Sequence, residues 1–179
     1  QSAFDTRGLV TAVAEHVLDL ANADYFSLLL LDCETGELDG DHFERGKRGP
    51  MWRSRIAPGP GSFLAQVLRR ETLIVEDPLR IAEAEREELH WKGPALQVLV
   101  GMPIIVGTNL MGIALIGYRR AVKPSDRRRR ALLFLADQIG LAVDRIRTRG
   151  ELESKVLLLE EARTSLRRVD EMKSELISV

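Results

Sequence analysis

A single cysteine, Cys33, stands among 179 residues, which excludes an intramolecular disulfide and any zinc site built on several thiolates. Aromatic residues are scarce, two Trp, two Tyr and five Phe, and so few rings argue against a surface on which bases stack. Neither sign of charge prevails. With 26 Lys and Arg against 27 Asp and Glu, overall charge lends no support to a nucleic-acid or anionic-membrane partner. Apolar runs are short: "ALQVLVGMPIIVG" (residues 95–107) cannot span a bilayer as a helix and carries the Gly and Pro of a sheet element. Nothing at the N-terminus resembles a signal peptide, and a first residue of Gln reads as the start of a fragment. Together these absences lead us to expect a cytoplasmic chain with one core, plus an extension.

What is present is periodicity. Leu9, Val13, Val17 and Leu20 recur at helical spacing between Thr6 and Ala23. "DYFSLLLLD" (Asp24 to Asp32) reads as a strand apolar on both faces, "CETGELDG" as a hairpin turn, and "DHFERG" and "MWRSRIAP" as polar strands near a sheet edge, with His42 in an edge strand. In "PGPGSFLAQVLRRETLIVEDP", Ser62 caps a short helix to Arg70 and Thr72 to Val75 returns as a strand. Pro78 to Lys92 reads as a weakly amphipathic helix, ended by Gly93 and Pro94, of the kind that lids a site.

"LQVLVGMPIIV" and "LMGIALIGYRR", joined by "GTN", form a hairpin whose second strand puts Gly112 and Ala114 on one face and Met111, Ile113 and Leu115 on the other. A long helix follows, capped by Ser125, with Leu132, Leu135, Ile139, Val143 and Ile146 on one side. The order predicts an α+β fold: a central antiparallel sheet of about six strands, with helices at both ends of the chain packed on it.

From Leu152 the spacing changes to alternating threes and fours. Leu152, Lys155, Leu159, Ala162, Leu166, Val169, Lys173 and Leu176 form a heptad seam diluted by two lysines. A helix from Ser125 to Val179 would run to roughly 80 Å, far longer than one domain could cover, so the seam implies a parallel homodimer. The stripe through Ile139, Val143 and Ile146 does not continue in phase into Leu152, which suggests a register change near Gly150. Met172, Ile177 and Val179 then widen the stripe, as on entry to a four-helix bundle.

Several ordered blocks, "APGPGSFLAQVLRRETLIVEDP", "LVGMPIIVGTNLMGIALIGY" and "PSDRRRRALLFLADQIGLAVDRI", resemble the GAF-domain family of small-molecule sensor modules over roughly Phe4 to Arg147. The resemblance implies a sheet with the terminal helices on one face and a ligand pocket on the other, under a lid. On that basis the pocket is placed near Trp52, Phe63, Asp77, His90 and Trp91. "DEMKSELISV" looks like the start of the dimerisation helix of sensor histidine kinases, just before their phospho-acceptor histidine. The expected organisation is therefore a sensor domain over residues 1–150 and a signalling coil over 151–179, leading to kinase domains of the same chain.

Other chemistry is poorly supported. Some haem-binding GAF domains supply the iron ligand from the region of His90, but one His there is ordinarily a surface or capping residue, and haem is not expected. His16, His42 and His90 lack metal spacing, so no metal is expected. Cys33 lies outside the segments where bilin-binding relatives attach their chromophore, and relatives that reduce methionine sulfoxide need more than one redox cysteine. "GPGS" at Gly59 to Ser62 has no following Lys and reads as turn plus cap rather than a phosphate loop. The run Arg127 to Arg130 points around the helix, not along one patch. No catalytic residue is assigned, no cofactor is implied beyond an unknown small molecule, and the fragment is not expected to be an enzyme. Two alternatives remain open: a dimerisation and transmission module without ligand, and the sensory domain of a transcription regulator.

Overall fold

A computed structural model describes residues 2–69, 74–78, 96–122 and 125–178. The elements are α1 (Ser2–Leu20), β1 (Tyr25–Leu31), β2 (Leu38–Glu44), β3 (Trp52–Ile56), α2 (Phe63–Arg69), β4 (Ile74–Glu76), β5 (Val98–Val106), β6 (Asn109–Tyr118) and α3 (Asp126–Ile177). Among the described residues six strands make one sheet in the order β3-β2-β1-β6-β5-β4, antiparallel throughout. The expected α+β architecture is observed. The expected lid helix falls on residues outside those described.

Local chemistry sets the boundaries. Asn22 adopts a left-handed conformation with φ 48°, and Ala23 N–H donates back to Leu18 O at 2.9 Å, closing α1 before the Ala23 suggested by spacing. With the helix ended there, Leu20 is exposed while Ala14, Val17 and Leu18 are buried, so Leu20 leaves the predicted stripe. Ser62 Oγ accepts from Ala65 N–H at 3.1 Å and caps α2. Residues 38–40, read as turn, already pair with β1.

Alternation along the strands builds two apolar layers. Phe26, Leu28, Val100, Met102, Ala114 and Ile116 pack with Ala14, Val17 and Leu18 of α1 and Leu132, Leu135, Ile139 and Val143 of α3. The opposite face carries Tyr25, Leu29, Leu38, Leu99, Ile113 and Leu115 beneath Phe63, Leu64 and Val67 of α2. Met111 departs from the expected alternation. The ladder pairs Ile104 with Gly112 but Ile105 with Leu110, so Met111 is the extra residue of a bulge. It therefore joins the helix-side layer instead of following Ile113 and Leu115.

By its contacts the chain divides into Gln1–Val143 and Asp144–Val179. The second unit is helix, and its large apolar side chains Leu152, Leu159, Leu166, Val169 and Leu176 are all exposed. Around Gly150 the helix is bridged by ion pairs from Arg147 to Glu151 at 3.3 Å and from Arg149 to Glu153 at 3.0 Å. The helix passes Gly150 without interruption.

Candidate ligand site on the sheet

The first strand interrupts its own apolar run with two polar residues two apart, Tyr25 and Ser27. Period-two geometry puts both on the face away from α1 and α3. Across the ladder Ser27 stands opposite His42, and His42 opposite Trp52. Ser54 follows two residues after Trp52 on the same face. Pairing alone thus gathers four polar or aromatic side chains around Ser27.

Their contacts are tight. Tyr25 Oη and His42 Nδ1 are 2.5 Å apart, and His42 Nε2 and Ser54 Oγ are also 2.5 Å apart. A neutral imidazole has one donor and one acceptor nitrogen. Either Tyr25 donates to Nδ1 while Nε2–H donates to Ser54, or both protons run the other way. The Trp52 indole lies over the His42 ring at a centroid distance of 4.8 Å and 13° between planes, and Tyr25 stacks against both rings. Tyr25 and His42 are fully buried, and Trp52 is half-buried. Burial pushes the Tyr25 phenol far above its usual range and outweighs the opposing influence of the Ser27 hydroxyl. Ser27 is itself fully buried, and among the described residues its hydroxyl has no partner within ordinary hydrogen-bond geometry.

His42 corrects the sequence reading. It lies on β2, which is flanked by β1 and β3 and is not an edge strand. Of the expected pocket residues, Trp52 stacks on the cluster, and Phe63 packs in the same apolar layer, against the bare backbone of Gly101. Asp77 is exposed just after β4. His90 and Trp91 lie outside the described residues. Tyr25, Ser27, His42 and Ser54 were not singled out as pocket residues from sequence. The signal available was the pair of polar residues at alternate positions inside an otherwise apolar strand.

Chemically the cluster offers neutral hydrogen-bonding groups and a ring surface in apolar surroundings. It has neither the paired carboxylates nor the activated nucleophile of a catalytic centre. Among the described residues no group of three or more His, Cys, Asp and Glu could hold a metal ion, and no helix is long and apolar enough to cross a membrane. Asp39 and Asp41 of β2 and Arg53 and Arg55 of β3 alternate to the other face, while Glu44, opposite Tyr25 at the end of β2, pairs with Arg119. On that other face Arg53 binds Asp39 through two hydrogen bonds of 2.9 and 2.8 Å.

Comparison with known proteins agrees with this fold. The GAF domain of a two-component sensor histidine kinase from Bacillus halodurans superposes with a TM-score of 0.63 at 19% identity, covering 80% of this chain and 96% of that one. A GAF domain from a Coxiella burnetii phosphoenolpyruvate-protein phosphotransferase gives 0.59 at 20% identity, covering 79% and 83%. A type II free methionine-R-sulfoxide reductase from Thermoplasma acidophilum gives 0.57 at 13%, covering 82% and 97%. No curated protein matches the sequence. GAF domains are generally non-catalytic regulatory domains of signalling proteins, although the last of these structures is a reductase. Residues 5–144 match the GAF domain family in sequence, and the fold agrees: the chain belongs to that family.

Proposed function

We propose that the chain is a sensor module that binds a small, uncharged molecule on the sheet face carrying Tyr25, Ser27, His42, Trp52 and Ser54, and passes its occupancy through a dimeric helix to a histidine kinase. The observation that carries the reading is Ser27. A buried hydroxyl without a partner costs roughly 1–3 kcal/mol; Ser27 has none among the described residues, and a ligand oxygen or nitrogen would recover that loss. Trp52 and His42 add a ring surface against which a planar ligand would stack.

The kinase output is supported by the resemblance of "DEMKSELISV" to the kinase dimerisation helix, and by a matched structure from a sensor histidine kinase. Dimerisation through residues 151–179 is supported by the exposure of Leu152, Leu159, Leu166 and Val169. The test is thermal unfolding of the full chain against a panel of neutral metabolites. A ligand at a hundred times its Kd stabilises by about 2.7 kcal/mol. One compound should shift the wild type and fail to shift Ser27→Ala; a panel with no such compound favours the ligand-free transmission module.

A further inference from the structure

Charge is balanced in number along the chain but not in position. In the turn after β2, Arg45 donates from Nε to Ala23 O at 2.7 Å and pairs with Asp19 at 3.4 Å, which ties the turn to the end of α1. Arg120, just past β6, donates to Asn22 O at 3.4 Å. The ends of α1, β2 and β6 therefore meet at one end of the sheet, and α3 starts from it at Asp126. Beyond these anchors the surface is basic: Lys47 and Arg48 in the turn, Arg120, and Arg127, Arg129 and Arg130 in α3 are all exposed. The β1–β2 hairpin at the opposite end instead exposes Asp32 and Glu34. We propose that the basic end is a docking surface for an anionic lipid bilayer, with Leu20 and Met51 entering the headgroup layer.

Three features select a membrane as the occupant. The fold itself does not ask for these cations. A helix N-terminus disfavours positive charge, yet α3 opens with four consecutive arginines after Asp126, and Arg127 and Arg129, like Lys47 and Arg48, form no ion pair among the described residues. Arginines that point around a helix make no stripe along its side. Helical side chains lean toward the N-terminus, however, so these ring the helix end and act together on a surface met end-on. Leu20 is 60% exposed and Met51 44% exposed at this same end. Aliphatic side chains among cations suit a bilayer, whose headgroups take the charge and whose acyl boundary takes the apolar tips. A nucleic acid gains nothing from them, and the neighbouring Trp52 ring is already stacked on His42. The separation of charge also turns the domain basic end first toward an anionic surface.

The test is sedimentation of the full chain with vesicles of phosphatidylcholine alone and of phosphatidylcholine mixed with phosphatidylserine. Binding to the mixed vesicles only, weakening as salt rises, is expected; equal binding to both, or to neither, would overturn the proposal. Each cation near an anionic surface is worth roughly fivefold in affinity, so Lys47→Ser with Arg48→Ser should weaken binding at least tenfold while the thermal midpoint holds. Arg167→Ser with Arg168→Ser removes the same charge from residues 144–179 and should leave binding unchanged. A loss of the same size in both pairs would reduce the effect to net charge and overturn the docking surface. Leu20→Ser with Met51→Ser should also weaken binding, and undiminished affinity would overturn the insertion. If a DNA duplex or an RNA binds through Lys47 and Arg48 while the vesicles do not, the partner is a nucleic acid and the lipid assignment fails.

Discussion

Ser27 and His42 make opposite demands on stability and should respond oppositely to substitution. Ser27→Ala removes a buried hydroxyl that nothing among the described residues satisfies, so the unliganded chain should gain about 1 kcal/mol in urea unfolding while losing its ligand response. His42→Ala strips two hydrogen bonds and a ring stack, leaving Tyr25 and Ser54 to lose their imidazole partner inside the core. A loss of about 2–4 kcal/mol is expected. Tyr25 adds a pH signature. Its folded pKa is raised by burial, so the unfolded chain ionises first and binds fewer protons than the native state. Stability should hold to the unfolded phenol pKa near 10 and fall as pH rises beyond it. Tyr25→Phe should flatten that alkaline decline, and an unchanged slope would show that Tyr25 does not cause it. Asp39, held below the usual carboxylate range chiefly by its hydrogen bond to Arg53, acts at the other end: its contribution is present above about pH 4 and is lost below.

At the scale of elements, glycine decides how closely neighbours approach. A Cβ on Gly40 would lie 1.9 Å from the Leu28 carbonyl oxygen and one on Gly101 2.6 Å from Val67. Gly40→Ala must move β1 backbone and should be the more damaging in thermal unfolding; Gly101→Ala needs only a shift of α2 side chains. The order of elements was legible in the sequence because period and punctuation agree: "GTN" bounded by apolar strands, Ser62 before "FLAQ", the alternation of "LQVLVGMPIIV". Met111 was misplaced because one bulge residue reverses the alternation that strand reading assumes. The polar cluster was less legible, since Tyr25, His42 and Ser54 are distant in sequence and meet only through ladder register. In the coil, Lys155 and Lys173 dilute the seam, and replacing both with Leu should tighten the full-chain dimer by tenfold or more in sedimentation equilibrium.

Across the whole molecule, sensing requires that ligand and output share one equilibrium. A ligand moves a helix only through its different affinity for two arrangements, and a tenfold change in output corresponds to about 1.4 kcal/mol. A seam weakened by two lysines keeps such arrangements close in energy. When the chain is joined to a kinase region, the double Lys→Leu variant should autophosphorylate at a rate indifferent to Ser27→Ala. Retained sensitivity would make the coil a passive tether. The central claim, a neutral ligand held on the sheet face of a dimer, is tested most directly by native mass spectrometry of the full chain. The account predicts a dimer carrying one small molecule per protomer, released on denaturation and missing from Ser27→Ala. A bare dimer from every expression host, or a complex that retains its molecule when Ser27 is changed, would contradict it.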